Sequence, residues 1–230
     1  MVAQRLTSCL NSPSPTTTFA IPIRASSPRF SERVKKAAEG AALGTGTTFD
    51  FEVINGTYST LPNDVLGRVM DSSLRRVGGP TWTQDEITFA EKLQKTIPGK
   101  NLPPLASAKE IRKYQFNTQK YSSTDSGDVS WVTPLATLTT ATWVPGTSAH
   151  SWQAVAAGGM SIGLKGMVVA AKTLALTVAQ LYTSPELITA AKVEFDKSRG
   201  PNFVYQSLVG DRPPPLDYRN ASTATGADPG

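Results

Sequence analysis

In "TTFDFEV", Phe49, Phe51 and Val53 fall on every second position, and this period of two predicts a half-buried strand. Before it, the β-type run "TTTFAIPIRASS" gives way to "SSPRFSERVKKAAEGAALGTG", a predicted helix. Ser27 is its N-cap candidate, Pro28 takes the first helical position, and Gly44 or Gly46 ends it. Residues 19–61 therefore read strand, helix, strand, half of a small α/β sandwich. The period then lengthens to that of a helix in "PNDVLGRVMDSSLRRVGG", with Val65, Val69 and Leu74 on one face and Gly78-Gly79 as the stop. A further helix in "TQDEITFAEKLQKTIPGK" is opened by Thr83 with Glu86 three residues on, a capping box.

Residues 98–121 are polar and proline-rich and read as a long connection. Beyond them, "VSWVTPL" and "LTTATWV" have the β-branched and aromatic content of strands, Pro134 breaks the first, and "VPGTSAH" turns the chain back. Residues 161–182 predict a helix, and "SPELITAAKVEFDKSRG" another, with Ser184 as N-cap, Pro185 at its first position and Gly200 at its end. The apolar stretch "GMSIGLKGMVVAAKTLALTVAQLY" is interrupted by Lys165 and Lys172, well short of the roughly 20 uncharged residues of a span. It predicts a buried or half-buried helix, and no membrane partner is expected. The tail "GDRPPPLDYRNASTATGADPG" lacks the composition of a packed core.

A 39% hydrophobic and 18% charged composition admits a real core and excludes a wholly disordered chain. Basic residues outnumber acidic ones, 23 to 18, but they are scattered in "RVKK", "LRR" and "EIRK" without an aromatic-interleaved stripe, so no nucleic-acid partner is expected. Cys9 is the single cysteine, which allows no internal disulfide and makes a reduced, cytoplasmic setting the default. The first 31 residues contain no Asp or Glu and are rich in Ser and Thr, as in a mitochondrial transit peptide; four prolines and no clear amphipathic helix oppose that reading.

Candidate chemistry gathers in two loops that the pattern places at strand ends of one sheet, where α/β proteins put their ligands. One is "STDSGDVSW", with Asp125 and Asp128 around Gly127, and the other is "GTSAHSWQ", which holds the single histidine, His150. His150 suits a metal ligand or a general base; Asp125 suits a ligand, an orienting carboxylate or a turn former. The simpler reading of both aspartates is local Asx-turn formation. One histidine and two aspartates are too few for a closed tetrahedral zinc site, and a Ser-His-Asp arrangement lacks a nucleophile that can be placed.

Two long stretches, "SSTDSGDVSWVTPLATLTTATWVPGTSAHSWQAVAAGGMSIGLKGMVVAAKTLALT" and "RASSPRFSERVKKAAEGAALGTGTTFDFEVINGTYSTLPND", closely resemble the C-terminal region of amidohydrolases of the aminobenzoyl-glutamate hydrolase type, in its B-type subunit. These are a branch of the metal-dependent aminoacylase and carboxypeptidase peptidases, and the resemblance covers about residues 20–200. It implies an α/β fold: the C-terminal half of a zinc-peptidase-like catalytic domain (residues 62–200) after the end of a small α/β lid, or dimerisation, domain (residues 19–61), with residues 1–18 unmatched and 201–230 as a tail.

The resemblance also implies site residues. Family members bind two divalent ions, usually zinc, and His150 matches their last histidine ligand. Ser123, Thr124 and Asp125 match a loop that borders the substrate pocket, and Arg24 matches an arginine that reaches toward a substrate carboxylate, for which a guanidinium's bidentate geometry is suited. The implied substrates are carboxylate-bearing amides, either aminobenzoyl-glutamate or N-acyl amino acids and dipeptides, and the implied partners are a second copy or a full-length subunit.

The departures are equally specific. The family's early histidine-aspartate pair, bridging aspartate and adjacent glutamates, one of them the general base, have no counterpart here. Gly163-Leu164 stands where a small residue followed by histidine is expected. The expected function is thus the C-terminal portion of a metal-dependent amidohydrolase, inactive alone and without a catalytic residue of its own. The alternatives are a short non-catalytic paralogue acting as an interaction or dimerisation module, or an incomplete coding sequence.

Overall fold

The computed structural model describes residues 2–8, 16–19, 27–118, 124–211 and 213, with side chains from residue 32 onward except 52–55. They form two compact units, one of residues 1–59, 121–128 and 204–230 and the other of residues 60–120 and 129–203.

In the first unit, β1 (Val2–Ser8) pairs antiparallel with both β2 (Thr16–Phe19) and β3 (Phe49–Gly56), giving the order β2-β1-β3. Val2 lies opposite Phe19 on one side and Gly56 on the other, and the β1–β3 register shifts between Ala3 and Gln4. Helix α1 (Ser27–Thr45) ends at Gly46, whose φ of 66° suits a residue without a Cβ. It packs on β3, with the Lys35 ammonium 4.9 Å from the centre of the Phe51 ring. The strand-helix-strand reading of residues 19–61 thus finds α1 and β3, while the pairing strand β1 comes from the stretch that the family resemblance leaves unmatched.

The second unit is helical and irregular. Helix α2 (Asp64–Val77) starts where the Asn63 side chain accepts the Leu66 N–H at 3.0 Å, and the Glu194 carboxylate accepts the Asp64 and Val65 N–H groups at 2.8 and 2.9 Å. Its first turn thereby receives an anion where the helix dipole favours one. Gly78 stops the helix as expected; of the predicted face Val69 is buried, together with Met70 and Ser73, while Val65 and Leu74 are half-buried. Helix α3 (Gln84–Gln94) has the predicted Thr83–Glu86 capping box. The connection after it contains one 3-10 turn, Leu105–Lys109, and is fastened to α2 where the Tyr114 hydroxyl donates to Asp64 at 3.0 Å. Burial first, and then this bond, push the Tyr114 phenol up to about 12.

Helices α5 (Trp152–Gly158), α6 (Ser161–Thr183) and α7 (Pro185–Arg199) follow the single turn α4 (Ser126–Val129). The core joins Ala90 and Leu93 of α3, Val144, Ala157 of α5 and Ile162 of α6. Helix α7 has Pro185 at its start and Gly200 at its end as predicted, but Ser184 makes no side-chain cap bond.

Two expectations are corrected. "VSWVTPL" and "LTTATWV" form no strands: the first is a helical turn and loop, and the second runs against α6, where the Thr140 hydroxyl donates to the Gly166 carbonyl at 2.9 Å. A β-carbon on Gly166 would collide with the Ala141 carbonyl, so glycine is what lets the segment lie on the helix. Strand propensity is expressed only against a pairing edge, and among the described residues none is presented to this segment. The described residues are mostly helical, with the three-stranded sheet confined to the first unit.

Helix α6 is long and apolar enough to cross a membrane by length and composition. Its inner face, Ile162, Gly166, Val169, Thr173 and Thr177, is buried, and α6 packs against α2, α5 and α7. Thr173 and Thr177 return their hydroxyls to the Val169 and Thr173 carbonyls, each at 2.8 Å. The opposite face, with Leu164, Met167, Val168, Val178 and Tyr182, is exposed, so the more apolar side of the helix is the outer one.

Candidate functional site

His150 is held in an uncommon backbone conformation. Its φ of 59° lies in the left-handed region, which histidine visits more readily than most side chains, and Gly146 earlier in the loop has φ 94°. Both ends of the loop are anchored. Before it, Val144 is buried in the core and the Gln94 amide donates to the Pro145 carbonyl at 2.9 Å. After it, Ser151 donates to the Ser148 carbonyl at 2.7 Å and caps α5 by accepting the Ala154 N–H, while buried Gln153 donates to the Thr96 carbonyl at 3.1 Å. The result is a loop anchored at both ends, with the imidazole exposed. The sequence pattern does not single out Gln94 or Gln153, whose anchoring partners are up to 57 residues away.

Thr124 and Asp125 are exposed in the first unit. The Thr124 hydroxyl shares a hydrogen bond with Ser126 at 2.8 Å and accepts the Ser126 N–H, and the Asp128 N–H donates to the Asp125 carbonyl at 3.1 Å. The local-turn reading fails for the side chain of Asp128. Its Oδ2 accepts the Tyr58 N–H at 3.1 Å and its Oδ1 accepts the Tyr205 hydroxyl at 2.8 Å, a bond that pushes the Tyr205 phenol up to about 12. Among the described residues, neither loop lies at a strand end. Arg24 and Ser123 lie outside the described residues. Gly163 is buried on α6 and Leu164 is exposed, so the departure there puts a leucine side chain on the surface.

Among the described residues, no group of three His, Cys, Asp or Glu side chains could hold a metal ion. His150 offers one imidazole, and by themselves these residues do not make a metal centre. The second unit also has an apolar groove of about 540 Å³ lined by Trp82, Ile87 and Leu105 with Glu91 and Lys109 at its polar positions; His150 is not part of its wall.

Comparison with known proteins gives one informative match. The chain is 34% identical over 186 residues to the B-type subunit of p-aminobenzoyl-glutamate hydrolase from Escherichia coli (strain K12), covering 71% of this chain. The chain spans 39% of the length of that relative. No family model and no solved structure matches it. On that similarity, the chain belongs to the p-aminobenzoyl-glutamate hydrolase family.

Proposed function

We propose that the chain is the C-terminal part of a metal-dependent amidohydrolase that cleaves amide bonds of carboxylate-bearing substrates, aminobenzoyl-glutamate or N-acyl amino acids and dipeptides. The observation that carries this reading is the 34% identity to the p-aminobenzoyl-glutamate hydrolase subunit over 71% of the chain. In the reading, His150 is one ligand of a divalent ion, zinc by family resemblance. Ser123, Thr124 and Asp125 line the substrate pocket, and Arg24 meets a substrate carboxylate. The exposed, anchored position of His150 supports the first assignment, and the exposure of Thr124 and Asp125 supports the second.

A bound divalent ion would supply an activated water. In this reading His150 offers one imidazole toward it. A second reading, a non-catalytic relative that pairs with a full-length subunit, is favoured by the uncovered apolar face of α6.

The test is to purify residues 1–230, add excess zinc or manganese, and assay aminobenzoyl-glutamate, N-acyl amino acids and dipeptides. No turnover is expected. Metal-dependent turnover lost on chelation and on His150→Ala would contradict the incomplete site, though not the assignment of His150.

A further inference from the structure

We infer that Asp128 is a positioning residue, which locks the loop carrying Thr124 and Asp125 by joining it to Tyr58 and to the segment around Tyr205. All the groups involved belong to the first unit. One carboxylate oxygen takes the Tyr58 backbone N–H and the other takes the Tyr205 hydroxyl, so both ends of a single charged acceptor are used by chain segments 70 and 77 residues away. The two tyrosines are themselves in contact, with ring centres 5.6 Å apart, and the Tyr58 hydroxyl donates to the Gln206 carbonyl at 3.0 Å. Gly127 completes the anchor. It is buried with the Tyr58 carbonyl over the place a β-carbon would occupy, so any other residue there would push the loop off its seat.

The loop therefore has an anchored side, Gly127 and Asp128, and an open side, Thr124 and Asp125. On the open side the Thr124 hydroxyl bonds only its neighbour Ser126 within the turn, while the long-range contacts are left to Gly127 and Asp128. The relevance of the open side to substrate rests on the function proposed above; the anchor does not.

Hydrogen–deuterium exchange on the full chain tests it, comparing Asp128→Asn and Tyr205→Phe with the unaltered protein. Asn keeps one acceptor but presents an amide N–H₂ to a donor, and Phe keeps the ring contact while removing the hydroxyl. Both variants are expected to speed amide exchange in residues 124–128 about tenfold, the factor equivalent to about 1.4 kcal/mol for a charge-assisted hydrogen bond, while α6 stays unchanged. Asp125→Ala, which alters only the open side, is expected to leave exchange unaltered. Unchanged exchange over 124–128 in both Asp128→Asn and Tyr205→Phe would overturn the inference, and so would a uniform rise across the chain, which would make Asp128 an ordinary stability residue. No substrate enters these measurements, so failure of the amidohydrolase reading and failure of the anchor are seen separately.

Discussion

The Lys165 ammonium on α6 donates to the Glu86 carboxylate at 2.6 Å and to the Thr81 carbonyl at 2.9 Å, joining α6 to the first turn of α3. Glu86 is buried, and the Lys165 bond, followed by those from Ser161 and the Thr83 backbone, lowers its pKa from 4.5 to about 2. A carboxylate depressed on folding adds stability that is fully present above its unfolded value and is lost as pH falls through its folded value. The thermal midpoint is therefore expected to fall between about pH 4.5 and 2. Glu86→Gln should flatten that part of the profile, and a variant with the same acid slope as the parent would remove Glu86 as its source.

Loss of the capping box and ion pair together in Glu86→Ala is expected to cost on the order of 2 to 4 kcal/mol, because the variant also leaves Lys165 without its carboxylate. Chemical denaturation reads this directly. A cost under about 0.5 kcal/mol would show the contact to be solvated in solution.

Gly166 separates α6 from the Ala141 carbonyl, and Gly166→Ala is expected to destabilise by about 1 to 3 kcal/mol through the displaced segment. Gly40→Ala, where a β-carbon meets nothing within 4 Å, is the control and should be neutral or slightly stabilising. Equal effects at the two positions would contradict the close approach.

The outer face of α6 should bind an apolar fluorescent dye and promote self-association, since Leu164, Met167, Val168, Val178 and Tyr182 all lie exposed along one side. The double variant Met167→Lys, Val168→Glu is expected to reduce both without lowering the unfolding midpoint. A sharp cooperative transition with little dye binding in the parent protein would contradict the idea that this face is uncovered in the isolated chain.

Helices are legible in the sequence where their signals are local. Thr83 with Glu86, Gly78 after Val77, and Pro185 with Gly200 all mark ends that the structure reproduces, because a cap depends on neighbours three or four residues away. The segments around Trp131 and Thr140 are not legible, because strand formation depends on a pairing edge that no local pattern reports. His150 stands out by its rarity, and its anchoring explains why the loop can present it. Asp128 reads as a turn former because Gly127 beside it suggests one. Its partners Tyr58 and Tyr205 are too distant in sequence for periodicity to connect them.

A chimera tests whether His150 serves a metal-dependent hydrolase site. The stretch of the Escherichia coli relative that matches this chain is replaced by the chain's own residues, and cleavage of p-aminobenzoyl-glutamate and bound metal are measured with and without His150→Ala. Turnover is expected in the chimera, with a loss of at least about a hundredfold on His150→Ala and of about one metal equivalent with the fold retained. A folded His150→Ala chimera with unchanged turnover and unchanged metal content would contradict it.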